Sequence, residues 1–263
     1  MSAAKIEKYI REKVLEKGFF HFTLIDPEKT SASLEKTIRE VEAAGSDGFL
    51  VGGSTGIYPP DVEGIVSTIK GISDKPVVLF PGGIFGIAKN ADAIFFLSLL
   101  NSQSTYFLIG AQAQAAGLIR RIGIESIPVG YIVFGKNSMV SVMGMVQEIE
   151  PDNYKAAAAY ALAASLMGMH AIYLEGGSGV PAPLPATTIS YVRGALPADA
   201  LLIVGGGIRK SEDAKAVVSS GADIVVTGTV VEEMGASSLR HIIEGCKEGA
   251  KLKVHRNHAG HRK

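Results

Sequence analysis

A closed barrel of eight parallel strands, each followed by a helix, is the (β/α)8 fold this 263-residue sequence predicts. Three observations carry that expectation. Apolar, β-branched runs recur along the chain and alternate with segments of helical period. Most of these runs are continuously apolar, as parallel strands buried on both faces are. The alternation reaches the end with no linker and no shift in composition, which favours closure into a single domain over an open, doubly wound sheet.

The first thirteen residues are charged and helical in pattern, unlike a signal peptide. Strands are expected at 19–25, 48–51, 77–80, 93–99, 127–134, 171–175, 201–205 and 224–228. Helices are expected at 33–44, 60–69, 106–122, 154–167, 187–195, 212–219 and 239–249. Residues 82–92 are few and glycine-rich, so the helix due there is stunted, while 135–152 is long enough to lay a hairpin strand over the core. The barrel is expected to fill 1–254. A basic tail, 255–263, is expected to be disordered; its histidines at spacing three (His255, His258, His261) are read as solvated rather than metal-binding, and contact with anionic lipid is a lesser expectation.

Composition excludes several classes. Twenty-six basic side chains balance 26 acidic ones, so no bulk positive charge drives nucleic-acid binding. A single cysteine, Cys246, leaves no internal disulfide and no cysteine zinc site, and fits a reducing, cytoplasmic setting. The longest apolar stretches are too short to cross a bilayer. Glycine, at 31 residues, is well above the usual share and clusters after the apolar runs, where backbone can approach a ligand.

The strand ends hold the chemistry. Strand seven ends in Val204-Gly205-Gly206-Gly207-Ile208-Arg209 and strand eight in Thr227-Gly228-Thr229. Glycines there aim backbone N–H groups at an anion, and in barrels these two loops recurrently bind phosphate. Strand six ends in Tyr173-Leu174-Glu175-Gly176-Gly177-Ser178-Gly179. Pro181, Pro183 and Pro185 prevent the helix a dinucleotide fingerprint would need, so Ser178 and the glycines are read as a third wall around the phosphate. Glu175 at a buried strand end is either half of an ion pair or a proton acceptor.

Strand one ends in Leu24-Ile25-Asp26-Pro27-Glu28-Lys29. Asp26 is a local cap or, facing a second anion, a ligand for Mg²⁺, an ion that needs only one or two protein oxygens. Strand two ends in Gly52-Gly53-Ser54-Thr55-Gly56, formally a nucleophile elbow, but no histidine follows a later strand end. Ser54 fits better as a hydroxyl serving a metal or a diphosphate. The strand ends also lack a lysine for Schiff-base chemistry, which weakens a phosphosugar isomerase or lyase. Two anionic groups joined through one base suggest group transfer.

These same segments, with Leu79-Phe80-Pro81-Gly82 between them, closely resemble the geranylgeranylglyceryl phosphate synthase family in order and over nearly the whole chain. The resemblance implies a TIM barrel that transfers a geranylgeranyl group from geranylgeranyl diphosphate to the 3-hydroxyl of sn-glycerol-1-phosphate, the first ether bond of archaeal membrane lipids. It implies Mg²⁺ held by Asp26 and Ser54. Glycerol phosphate would lie on Tyr173, Leu174, Glu175, Gly176, Gly177, Ser178, Gly179, Gly206, Gly207, Gly228 and Thr229, with Glu175 as the base. A related synthase using a longer, heptaprenyl donor is the alternative. Tyr106, Phe107 and Tyr131 are candidates for the prenyl groove, although each also suits core or subunit packing. A homo-oligomer, transient membrane-surface contact and no nucleic-acid partner complete the expectation.

Overall fold

Eight parallel strands close in chain order: β1 (Phe20–Ile25), β2 (Gly48–Val51), β3 (Val77–Leu79), β4 (Ala93–Leu99), β5 (Glu125–Val133), β6 (Ala171–Glu175), β7 (Leu201–Gly205) and β8 (Ile224–Thr227). The ring is completed by β1 pairing with β8, Thr23 opposite Thr227. The computed structural model describes residues 5–29, 34–53, 59–136, 138–235 and 237–260.

Side chains alternate across the barrel wall, as strand geometry requires. Phe20, Phe22, Phe95, Tyr131, Tyr173, Ile203 and Val226 share one cluster inside the barrel. Their neighbours, including Phe19, Val51, Leu79, Leu174 and Val204, pack beneath the helices. Each buried aromatic or aliphatic side chain contributes about 1.5–3 kcal/mol. An aromatic column climbs the interior: Phe22 meets Phe95 edge-on at 5.9 Å, Phe95 meets Phe80 at 6.3 Å, and Phe80 stacks on Tyr173 at 5.3 Å.

Helix α1 (Lys5–Lys17) seals the barrel's N-terminal end, with Tyr9 edge-on to Phe20 at 6.2 Å. Its first turn is held from far away in sequence, because the Glu125 carboxylate accepts the amides of Ile6 (2.8 Å) and Glu7 (2.9 Å). That contact places the start of β5 two residues before the expected one. The outer layer comprises α2 (Leu34–Ala44), α3 (Pro59–Lys70), α4 (Ala111–Ile122), α5 (Met139–Met143), α6 (Tyr154–Leu166), α7 (Ala186–Ala195), α8 (Ser211–Ser219), α9 (Thr229–Met234) and α10 (Ser237–Gly260).

Three connections bear on the site. The β3–β4 crossover carries only a single 3-10 turn, Ile84–Gly86, as its glycines foretold. The helix expected from 106 begins instead as a π turn, Tyr106–Gly110, before α4 takes over; such turns often accompany functional sites. The expected hairpin over the core is absent among the described residues. Residues 135–152 hold α5, with one antiparallel bridge between Ser102 and Val146. At the C-terminus the helical backbone of α10 continues through Gly260, where the sequence favours disorder from residue 255.

A buried histidine lies between the barrel wall and the helices. His21 Nδ1 is 3.0 Å from Ser46 Oγ, and Nε2 is 3.0 Å from Thr227 Oγ1. Burial pushes the imidazole pKa down to about 3, and the charges of Lys17 and Lys75 push the same way. The unfolded chain takes up a proton near pH 6.5, and the fold does not until about 3. Stability therefore falls as pH drops through this window, by about 1.4 kcal/mol per pH unit from this group. His21→Gln removes that contribution: urea unfolding between pH 7.5 and pH 5 should show a flatter pH dependence than the parent chain, and equal slopes would mean that His21 carries a proton in the fold.

Candidate active site

The ends of β6, β7 and β8 converge on one cavity of about 230 Å³, lined among others by Gly177, Ser178, Gly179, Gly206, Gly207, Gly228 and Thr229. The first and last of these loops are tied together by Ser178 Oγ and Thr229 Oγ1 at 3.2 Å. Gly206 has φ +88°, and a Cβ there would sit 2.9 Å from Glu175 Oε1, so only glycine lets the β7 loop pass this close to the carboxylate. The result is a cup walled by backbone and short hydroxyl side chains, suited to an anion.

Glu175 stands at the foot of the cup with 8% of its surface exposed. Burial raises its pKa above the ordinary 4.5. The Gly177 amide, donating to Oε1 at 2.7 Å, and the hydroxyls of Tyr173 and Tyr131 oppose that shift by favouring the charged form. Burial also raises both tyrosines well above their usual values, so they remain donors. A carboxylate held this way has a strengthened affinity for a proton and a fixed direction toward the cavity, which are the requirements of a general base.

Asp26 lines the same cavity as Gly228. Its Oδ1 accepts the Glu28 amide at 3.1 Å, and Oδ2 lies 3.7 Å from Lys29 Nζ. The local-cap expectation thus describes part of its role, and the described residues after it, 27–29, form a turn. A Cβ on Gly53 would come within 2.7 Å of Asp26 Oδ1, so the β2 end is pared back to admit the carboxylate. One cavity-facing carboxylate fits an ion that takes a single protein oxygen or two and completes its shell on substrate oxygens. No cluster of three His, Cys, Asp or Glu side chains able to hold a metal ion exists among the described residues. Ser54 lies outside the described residues.

From the cup the cavity runs out along an apolar groove lined by Phe80, Ile84, Ile87, Phe96, Ala115 and Ile119. The outer face of β4 is open here because the preceding crossover has a turn in place of a helix. Met139 and Met143 of α5 form the rim. Of the aromatic candidates, Phe107 and Tyr131 line the cavity and Tyr106 does not.

Two of the expected binding residues, Leu174 and Gly176, do not line the cavity. Leu174 faces the helix layer, because alternation along β6 turns it away from Tyr173 and Glu175. Gly176 is outside the lining, and its amide is taken by the Gly205 carbonyl at 2.9 Å. The Gly177 amide is likewise committed to Glu175. Sequence reading also missed the second function of Tyr131, whose place one strand from Glu175 becomes visible only in the β5–β6 register, Val133 opposite Glu175. It missed Arg209 too, a cavity-lining cation paired with Glu233 at 2.7 Å.

Comparison with known proteins agrees with this geometry. The model of the PcrB family matches residues 8–246. The chain is 44% identical to the geranylgeranylglyceryl phosphate synthase of Thermofilum pendens, over 94% of this chain and 96% of that one. It is 48% identical to the enzyme of the same name from Pyrococcus horikoshii, over 87% and 89%. Its structure is similar to that of the (S)-3-O-geranylgeranylglyceryl phosphate synthase of Thermoplasma acidophilum in complex with the substrate sn-glycerol-1-phosphate, with TM-score 0.87 and 39% identity over 94% of this chain and 99% of that one. A family match over most of its length, together with a relative 44% identical over 94% of it, makes the chain a member of the PcrB family.

Proposed function

We propose that this protein is a prenyltransferase that moves a geranylgeranyl group from geranylgeranyl diphosphate to the 3-hydroxyl of sn-glycerol-1-phosphate, making the first ether bond of archaeal membrane phospholipids. The observation that carries this is a single cavity in which an anion cup, a buried carboxylate, a second carboxylate and an apolar groove follow one another. The names and substrate of its relatives support the same assignment.

Each part has a task. Gly206, Gly207, Gly228, Thr229, Ser178 and Gly179 surround the acceptor's phosphate. Tyr173 and Tyr131 hold Glu175, and Glu175 takes the proton from the glycerol hydroxyl as its oxygen bonds to the prenyl carbon and the bond to diphosphate breaks. The apolar groove receives the prenyl chain and keeps water from the reacting carbon. Mg²⁺, held by Asp26 and Ser54, would neutralise the charge that builds on the departing diphosphate.

The described residues include no helix long and apolar enough to cross a membrane. We place the enzyme in the cytoplasm, in contact with the membrane surface only transiently, and as a homo-oligomer. Leu162, Leu166 and Met167 lie exposed together at the end of α6, and an apolar patch of that kind supports subunit contact.

Incubation with sn-glycerol-1-phosphate, geranylgeranyl diphosphate and Mg²⁺ should yield ether product and diphosphate in equal amounts, and preference for a heptaprenyl donor would overturn the donor assignment. Glu175→Gln should bind glycerol phosphate normally and lose about 10²–10⁴-fold in turnover. In the parent enzyme the acid limb of kcat/KM should fall above pH 4.5, since the base must be unprotonated and its pKa is raised; full turnover in the Gln variant would remove Glu175 from the reaction. Asp26→Asn should raise the Mg²⁺ concentration for half-maximal rate about tenfold, and an unchanged metal titration would dismiss Asp26 as a ligand.

A further inference from the structure

Behind the phosphate cup, on the far side of the barrel wall, lies a hydrogen-bonded group that the reaction above does not use. His21 of β1 reaches Thr227, the last residue of β8, through Nε2 and Oγ1 at 3.0 Å. Its other nitrogen meets Ser46 Oγ at 3.0 Å, and Ser46 is itself fixed by Thr23 Oγ1 (3.1 Å) and by the Gly48 carbonyl (3.1 Å). His21 and Ser46 have no exposed surface, and Thr227 has 4%.

Donors and acceptors balance throughout. Ser46 donates to the Gly48 carbonyl, so it accepts from Thr23 and from Nδ1–H of His21. That leaves Nε2 as an acceptor for the Thr227 hydroxyl, with a neutral imidazole. Nothing here is idle, and nothing is left over.

Packing alone does not call for this arrangement. An apolar residue of similar shape with a partnering valine would fill the space at little cost, because replacing both partners of a buried hydrogen bond is often nearly neutral. A fully satisfied buried network instead fixes one geometry. Its far end is the informative one. Thr227 itself borders the cavity and is followed directly by Gly228 and Thr229, which line the cup, and the Thr229 hydroxyl touches Ser178 of the β6 loop. A continuous line of bonds thus runs from the β1–β2 connection through His21 and Thr227 into the two loops that close around the anion.

We propose that His21 is a positioning residue, which through the Thr227 hydroxyl sets the β8 loop to the geometry that grips the acceptor's phosphate. This rests on the assignment of the cup to glycerol phosphate. The wall it acts on binds one substrate only, so its loss should touch that substrate and spare the other.

The test uses His21→Leu, Thr227→Val, the double variant and Thr227→Ser, each checked for folding by circular dichroism. Isothermal calorimetry measures sn-glycerol-1-phosphate and inorganic phosphate binding, and steady-state kinetics measures both substrates. Expected are an acceptor KM and a phosphate Kd raised about tenfold in His21→Leu and Thr227→Val, with kcat and the prenyl diphosphate KM within about twofold. The double variant should be no worse than the poorer single one, since both cut the same line, and Thr227→Ser, which keeps the hydroxyl, should restore the parent values. Folded variants with lowered melting temperature and unchanged acceptor KM would overturn the proposal and leave a structural network. So would a Thr227→Ser that behaves like Thr227→Val. A parent chain that binds neither phosphate nor glycerol phosphate would overturn the cup assignment and the positioning role together.

Discussion

A carboxylate almost fully withdrawn from water must still be able to exist as a carboxylate, and the rest of the site is arranged around that difficulty. Taking a charged group out of water is costly unless hydrogen bonds replace the lost hydration. Glu175 receives them from the Gly177 amide and the hydroxyls of Tyr173 and Tyr131. The balance leaves its proton affinity above that of an exposed glutamate while keeping it ionisable. Remove the donors and the group becomes a neutral acid; remove the burial and it becomes a weak base in water.

This requirement propagates outward. Tyr173 is rigid because Phe80 stacks on it and Tyr131 packs edge-on at 5.1 Å, so the column of rings that fills the barrel also aims the hydroxyl. Gly206 has to be glycine for the β7 loop to close over the carboxylate, and the same loop then forms a wall of the cup. Phe80 serves twice more, by flooring the apolar groove and by following β3 into the truncated crossover that opens it. The fold and the site share residues at every level, so the barrel core cannot be repacked near Phe80 without moving Glu175.

Much of this was legible in the sequence because the relevant signals are local. Continuous apolar runs gave strand positions within a residue or two, since most of the strands are covered on both faces. Glycine-rich strand ends marked the cup, and Asp26 and Glu175 stood out as charged residues where charge is costly. What was hidden depends on contacts between distant segments. The start of β5 is set by Glu125 capping α1 more than a hundred residues away. Tyr131 reads as a groove aromatic until strand register brings it beside Glu175. Leu174 looks like part of the binding motif by adjacency, whereas alternation turns it outward. Residues 135–152 lack a strong period, so their length pointed to a hairpin and nothing in the pattern marked the short Met-rich helix α5.

The central claim is spatial: phosphate cup, base and apolar groove belong to one reaction path. A crystal structure with sn-glycerol-1-phosphate and an unreactive analogue of geranylgeranyl diphosphate tests it most directly. The acceptor's phosphate should lie among Gly206, Gly207, Gly228 and Thr229, with its 3-hydroxyl within hydrogen-bonding reach of Glu175 and the prenyl chain running past Phe80 toward Ile119. A glycerol phosphate bound at the Asp26 end, or a prenyl chain lying outside the groove, would contradict the account.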